Sequence, residues 1–292
     1  MKKAIILAAG LGTRVLPATK AIPKEMLTIV DKPAIQYIVE EVASSGIEDI
    51  MIILSRGKSA IQDHFDRAPE LETALLNSGK TELHKQVIDI SKLANITYIR
   101  QHEMRGTGHA VLCAERFTGS EPFVVIYGDD VILGQDPATA QVCRAYDEFG
   151  LGSVAIKECP DELVMKYSSL KVENIKENVY AVSDMIEKPK KQEIFSNFSI
   201  LGRCVLPAEI YGILKDTKPG AGGEIQLTDA MKVLARTKGM TGVDFTGTRY
   251  DMGNKLGILQ AIVETGLNHE EIGDDFKKYL KELKLSNNIV DN

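Results

Sequence analysis

The chain has 292 residues, 44% hydrophobic and 26% charged, with 35 Lys and Arg against 41 Asp and Glu, a net charge of −6. That length and balance suit one large soluble α/β domain, or one domain with a small appendage; the acidic sum argues against a nucleic-acid partner, and no apolar run approaches the roughly 18–20 residues that cross a bilayer. The four cysteines form no C-x-x-C pair and the five histidines no H-x-x-x-H pattern, so buried thiols are expected and any metal falls to carboxylates.

Lys2-Lys3 before the apolar stretch Ala4 to Gly10 loosely imitates a signal peptide. The stretch is short and soon meets Arg14, so Lys3–Ala8 reads as a buried first strand of a cytoplasmic protein. Pro33 opens a helix with Ile35, Ile38, Val39 and Val42 at helical spacing, stopped near Gly46. Asp49–Ser55 reads as a strand, Ser59–Lys92 as mostly helical, and Ile96–Gln101 as a third strand. Gly108–Phe117 follows as a helix and Pro122–Tyr127 as a fourth strand. Strand–helix alternation predicts a mainly parallel sheet flanked by helices. Further on, Gly152–Lys157, Ser169–Val172, Val179–Ile186 and Phe198–Val205 read as strands with few helices between them, which predicts a mixed or antiparallel extension. Helices return at Pro207–Lys215, Thr228–Lys238 and Asn254–Gly266. Phe276, Tyr279, Leu280 and Leu283 mark a last amphipathic one.

The first strand runs into Ala8-Ala9-Gly10-Leu11-Gly12-Thr13-Arg14. Two glycines after a buried strand let backbone N–H groups turn toward an anion. A dinucleotide fingerprint fails here, because Val15 stands at the third glycine position and Pro17 where the helix should run. Arg14 and Lys24 favour a triphosphate: a forked donor and a mobile point charge. The first 24 residues hold Lys2, Lys3, Arg14, Lys20 and Lys24 and no acid, a local cationic edge suited to a small anionic substrate.

Ala8 to Arg14, continued by Leu16 to Leu27 (LPATKAIPKEML), resembles the bacterial UTP–glucose-1-phosphate uridylyltransferases, also called UDP-glucose pyrophosphorylases. Asp31-Lys32-Pro33, Ile35-Gln36-Tyr37, Gly106 with Gly108 to Ala114, Glu187 to Lys190, Pro219 to Asp229 and Asp251 to Gly257 extend the likeness in family order over nearly the whole chain. The resemblance implies a Rossmann-like nucleotide-diphospho-sugar transferase fold in a single domain over 1–292. Its nucleotide part spans about 1–135, and its sugar part, with the C-terminal helices, about 136–292.

The resemblance also implies a site. Ala8, Ala9, Gly10, Leu11, Gly12, Thr13, Glu25, Gln101, Met104, Gly106 and Gly128 belong to the nucleotide. On spacing alone Gln101 reads as a surface residue; by resemblance it reads uracil, since a primary amide offers a donor and an acceptor. Asp129-Asp130 follows a buried strand, and reads either as a polar turn or as a ligand at the strand's carboxyl end. The family makes Asp129 a Mg²⁺ ligand, with Asp251 its partner. Glu187 is assigned to sugar hydroxyls and Lys188 to the sugar phosphate, with Tyr167, Gly202 and Glu224 lining the pocket. One departure stands out: members commonly carry Tyr-Gly where this chain has Tyr167-Ser168, which bears on the sugar.

The expected reaction is attack by glucose 1-phosphate on the α-phosphorus of UTP, giving UDP-glucose and pyrophosphate. Arg14, Lys24 and Lys188 would act on charge, and no protein nucleophile is needed. A homodimer or higher homo-oligomer is implied. The alternatives are a transferase using dTTP or another hexose 1-phosphate, and a non-catalytic UDP-sugar sensor. A nicotinamide dehydrogenase is disfavoured by the missing third glycine.

Overall fold

The computed structural model describes residues 1–287. Its strands, in chain order, are β1 (Lys3–Ala8), β2 (Thr28–Ile29), β3 (Lys32–Pro33), β4 (Asp49–Leu54), β5 (Asn95–Arg100), β6 (Phe123–Tyr127) and β7 (Asp130–Leu133). They continue with β8 (Gly152–Glu158), β9 (Ser168–Lys176), β10 (Val179–Glu187), β11 (Phe198–Leu206), β12 (Met240–Asp244) and β13 (Thr248–Asp251). Nine of them form one sheet in the order β5-β4-β1-β6-β11-β8-β12-β10-β9, so strands from both halves of the chain join it. β10 and β11 run against the other seven, which makes the sheet mixed but mainly of one direction.

The unalternating apolar text of β1 follows from cover on both faces. Ala4 and Ile6 join the core under the helix Ala34–Ser44, while Ile5 joins the opposite core with the helix Leu227–Lys238. Each of these isoleucines is fully buried, contributing about 1.5–3 kcal/mol. Ala34–Ser44 starts after Pro33, whose fixed φ suits the first turn, and buries Ile35, Ile38, Val39 and Val42 as the spacing predicts.

Expected elements differ in several places. Ser59–Lys92 is three helices (Ser59–Phe65, Pro69–Asn77, Thr81–Ile90), and Gly108–Phe117 is two (Thr107–Leu112, Glu115–Thr118). A helix over Ala138–Phe149 has no counterpart in the sequence reading: its buried face is Ala138, Thr139, Gln141, Val142, Cys143 and Ala145, too small and polar for an apolar stripe. β12 was hidden for a similar reason, since a strand buried through Thr241 and Gly242 lacks an apolar run. The four cysteines are free thiols, Cys143, Cys159 and Cys204 buried. No described helix is long and apolar enough to cross a membrane.

Candidate active site

β1 pairs with β4 on one side and β6 on the other, all parallel. The chain therefore winds away from β1 in one direction and resumes on its other flank at β6. Ligands collect outside the carboxyl ends of strands at such a reversal. Here those ends lie together, with Leu7 opposite Tyr127 and Gly128 N–H donating to the Leu7 carbonyl at 3.0 Å. The loops that leave them carry Ala9–Arg14 and Asp129-Asp130.

The first loop turns at Gly12, whose φ of 68° lies in the left-handed region. A Cβ there would come within 3.2 Å of Thr19 and Lys24 side-chain atoms. Thr19 Oγ1 donates to the Gly12 carbonyl at 2.7 Å, folding the following segment back over the loop. That return brings Lys24 over Gly10, where a Cβ would sit 3.5 Å from Lys24 Nζ. Lys24 Nζ is hydrogen-bonded to Asp129 Oδ2. The next residue, Glu25, is fully buried, and both its oxygens accept from Lys58 Nζ, at 2.8 and 2.7 Å.

β7 and β13 form a two-stranded ribbon that pairs Asp130 with Asp251, and Met252 N–H donates to the Asp129 carbonyl at 2.8 Å. The ribbon thus brings Asp129 and Asp251 to one place. Arg14 bridges them, 3.9 Å from Asp129 and 3.7 Å from Asp251. Gly253 is required by that approach: a Cβ would lie against Arg14 and within 2.8 Å of Asp251 Oδ1 and 2.9 Å of Asp129 Oδ2. Burial by itself would raise the Asp129 carboxyl, but Lys24, with Arg14 and Arg249 behind it, holds it below its ordinary value. Asp130 goes the other way. Burial pushes it up, Arg249 opposes, and the neighbouring Asp129 and Asp251 add to the rise. Asp130 faces away from Lys24, with Oδ1 accepting from Arg249 Nε at 2.8 Å.

Two clefts meet at Asp129. The larger, 480 Å³, is lined by Ala9, Gly10, Leu11, Thr13 and Lys24 from the loop, and by Gln101, Met104, Gly106 and Glu224 opposite. The smaller, 160 Å³, is lined by Arg14, Tyr167, Ser168, Glu187, Thr228, Arg249 and Asp251 among others. Glu224, expected among the sugar contacts, belongs instead to the cleft of Gln101 and Gly106. Six expected residues line neither cleft, Lys188 among them. Ala8 is buried in the core, Gly12 and Gly128 shape backbone, and Glu25 is spent on Lys58. Gly202, at φ 75°, lets β11 pass Asp130, whose Oδ2 would be 2.8 Å from a Cβ.

The smaller cleft is held by a chain of polar contacts. Tyr167 Oη donates to Asp251 Oδ2 at 3.0 Å, and Arg249 NH1 donates to Tyr167 Oη at 3.4 Å while its guanidinium stacks on the ring. Glu187 Oε2 accepts from Thr228 Oγ1 at 2.8 Å. Lys188 is exposed and lines neither cleft; its φ of 46° is uncommon for a side-chain-bearing residue, and its N–H donates to the Tyr167 carbonyl at 2.8 Å. Ser168 is 2% exposed, and its Oγ accepts from Ile200 N–H at 3.0 Å, so the hydroxyl stitches β9 to β11. Arg249, Thr228 and Gly253 were not singled out from the sequence. Thr228 and Gly253 lie inside the blocks Pro219 to Asp229 and Asp251 to Gly257 that carry the resemblance, and Arg249 lies two residues before the second, so membership of those blocks or proximity to them was the one available signal.

Residues 3–267 match the family model described as nucleotidyl transferase. A Bacillus subtilis (strain 168) protein named UTP–glucose-1-phosphate uridylyltransferase YngB is 50% identical over 97% of this chain and 95% of its own length. A Staphylococcus saprophyticus protein named UTP–glucose-1-phosphate uridylyltransferase 2 is 47% identical over 98% and 99%. Among solved structures, a UTP-bound UGPase from Acinetobacter baumannii superposes with a TM-score of 0.90 at 37% identity, covering 97% of this chain and 100% of that one. A UDP-glucose pyrophosphorylase complexed with UDP-glucose gives 0.81 at 39% identity, covering 97% and 99%. The chain belongs to the nucleotidyltransferase family, and within it to the UTP–glucose-1-phosphate uridylyltransferases.

Proposed function

We propose that this chain transfers the uridylyl group of UTP to glucose 1-phosphate, giving UDP-glucose and pyrophosphate. The observation that carries the reading is the meeting of two clefts at Asp129, with Arg14, Lys24 and Asp251 around the join. The names of the relatives support the same substrates.

The larger cleft takes the nucleotide, its phosphates crossing Gly10 toward Lys24 and Arg14. The smaller takes the sugar: Glu187 accepts from hydroxyls, and Lys188, exposed beside it, holds the phosphate. An oxygen of the sugar phosphate forms a bond to the α-phosphorus, and the bond to the bridging oxygen of the β-phosphate breaks. Arg14 and Lys24 steady the charge that leaves with pyrophosphate. Positioning and charge supply the catalysis.

The donor set fits a hard divalent cation. Asp129 Oδ2 and Asp251 Oδ1 converge on the space kept open by Gly253, and Asp129 is held ionised. Among the described residues no third acid, histidine or cysteine joins them, which leaves the other positions to phosphate oxygens and water, the habit of Mg²⁺. Mg²⁺ bound there supplies charge neutralisation on the phosphoryl oxygens.

Four free thiols suit a reducing, cytoplasmic setting. A homodimer or higher homo-oligomer goes with the reading, because Leu256 and Leu259, on the helix Lys255–Leu267, are 64% and 57% exposed. A single-chain mass by light scattering overturns that part. The reaction is tested by pyrophosphate release from UTP with Mg²⁺ and glucose, galactose or N-acetylglucosamine 1-phosphate. Glucose 1-phosphate should turn over fastest, and UTP should exceed dTTP. Binding of UDP-glucose without turnover of any sugar phosphate would leave a sensor.

A further inference from the structure

The side-chain amide of Gln101 is oriented by the protein itself. Gln101 is 5% exposed and lines the larger cleft. Its Nε2 lies 3.1 Å from the Gly106 carbonyl oxygen and 3.0 Å from His109 Nδ1. A carbonyl oxygen only accepts, so the group facing Gly106 is the NH₂ and not the amide oxygen. Its second hydrogen goes to Nδ1, which requires the neutral ring with its proton on Nε2. Both amide donors are then spent. Among the described residues Oε1 accepts no hydrogen bond, nor is it among the buried polar atoms without a partner; it is open to the cleft.

His109 is itself held firmly. It sits in the first turn of the helix Thr107–Leu112, which begins at Gly106 with a φ of 104°. Gly108 N–H donates to the Ile225 carbonyl at 2.8 Å, and a Cβ on Gly108 would lie 2.9 Å from that oxygen and 2.8 Å from Leu214. The turn is therefore seated closely on Ile225. Burial, with Arg105 adding to it, keeps the imidazole below its ordinary pKa and so neutral near pH 7.

We propose that His109 is a specificity-determining residue: by accepting the second amide hydrogen of Gln101 it fixes Oε1 outward, so the base is read by an acceptor. This rests on the reading that the larger cleft takes the nucleotide. An acceptor suits uracil or thymine, whose N3 carries a hydrogen, and opposes cytosine, whose N3 is itself an acceptor. Rotating the amide to suit cytosine would set Oε1 against the Gly106 oxygen, and against the Nδ1 lone pair as well unless the ring moves its proton from Nε2 to Nδ1. With Gly106 alone, one such contact would remain, and a hydrogen bond to cytosine would offset it. The donor for a uracil carbonyl falls to loop backbone, since the amide has none to spare.

The test is kcat/KM for UTP, dTTP and CTP at saturating glucose 1-phosphate, by pyrophosphate release, in the wild type, His109→Leu and His109→Asn. Leu removes the acceptor; Asn restores one at nearly the same place. The UTP:CTP ratio should fall about tenfold or more in His109→Leu. The UTP:dTTP ratio should stay within about twofold, because both bases carry N3–H. His109→Asn should recover most of the discrimination. If circular dichroism shows His109→Leu unfolded, His109→Ala carries the same expectation. An unchanged UTP:CTP ratio, or an equal shift of both ratios, overturns the role of His109 while leaving the transferase reading intact. A wild type that turns over no nucleotide overturns both, whereas a Gln101→Ala variant that keeps the wild-type rate with UTP and the wild-type UTP:CTP ratio overturns the base-reading role of Gln101, and with it that of His109, but not the transferase reading.

Discussion

Lys24 and Asp129, 105 residues apart in the chain, are ion-paired at the point where the two clefts meet. Both are largely buried, and Asp129 and Glu25 together hold the Lys24 ammonium protonated, above its ordinary value, against the opposing effect of burial. A cation kept charged beside the proposed path of the phosphates is placed for the leaving pyrophosphate. Lys24→Ala and Asp129→Asn should each lower kcat by about 10²–10³. Circular dichroism should show a folded chain in both, since Arg14 remains 3.9 Å from Asp129 in the first and 3.7 Å from Asp251 in the second. Wild-type turnover in either folded variant would remove the role given to that residue.

The same contact predicts how metal and nucleotide depend on one another. Lys24 and Arg14, assigned to phosphates, rest on Asp129 and Asp251, the carboxylates assigned to Mg²⁺. A triphosphate that draws the cations away frees carboxylate oxygens for the metal. Mn²⁺, followed by electron paramagnetic resonance as a stand-in for Mg²⁺, should therefore bind at least about fivefold tighter with UTP present than without. Lys24→Met removes a competing cation, so it should strengthen metal binding to the nucleotide-free protein and shrink the gain from UTP. Weaker metal binding by that variant alone contradicts the exchange.

The loop proposed for the phosphates was legible because it needs only local text: a continuous apolar strand, two glycines and two cations. The carboxylates were legible through resemblance, since nothing in the sequence says that Asp129 and Asp251 meet. They meet through a ribbon of two four-residue strands, too short to leave a pattern. The resemblance chose Asp129 over Asp130, and in the structure Asp130, the first residue of β7 after the turn that carries Asp129, accepts from Arg249. Glu41 lies on a helix face that otherwise reads as apolar, and its partner Arg203 is 162 residues away. Long-range pairs of this kind carry no periodicity. The sequence reading assigned Gln101 both a donor and an acceptor toward the base; the structure commits its donors to Gly106 and His109.

The sugar side carries a pH signature. Burial raises the Glu187 carboxyl above its ordinary value near 4.5, and the Thr228 hydroxyl and Lys188 only partly offset this. Above the raised pKa the group is ionised and able to accept from the hydroxyls of the proposed sugar substrate; as pH falls through it, the proton removes that capacity. KM for glucose 1-phosphate should therefore begin to rise at a higher pH than an ordinary glutamate would produce. Glu187→Gln should raise KM at pH 7 by about 10–100-fold, the weight of a hydrogen bond to a charged group. The sugar phosphate itself titrates near pH 6, by analogy with other phosphate monoesters (about 6), so the variant also serves as the control. A profile identical in wild type and Glu187→Gln assigns the whole effect to the substrate.

Arg203 gives the last prediction, one of stability. It is fully buried on β11, with Nε 3.1 Å from Glu41 Oε1, NH2 paired to Glu41 Oε2, and NH1 donating to the Asp130 carbonyl at 2.6 Å. Glu41 Oε1 also accepts from Thr139 N–H at 2.9 Å and Thr139 Oγ1 at 2.7 Å. One ion pair thus ties the helices Ala34–Ser44 and Ala138–Phe149 to the sheet and to the loop that carries Asp129. Arg203→Met strands the Glu41 carboxylate in the core and should lower unfolding stability by about 3–5 kcal/mol. Adding Glu41→Leu removes the stranded charge, so the double variant should regain a large part of that loss. Urea titrations of the single and double variants measure both changes, provided the m-values agree. Additive losses would mean that the pair is not coupled, and that the loop beneath the active site is held by packing alone.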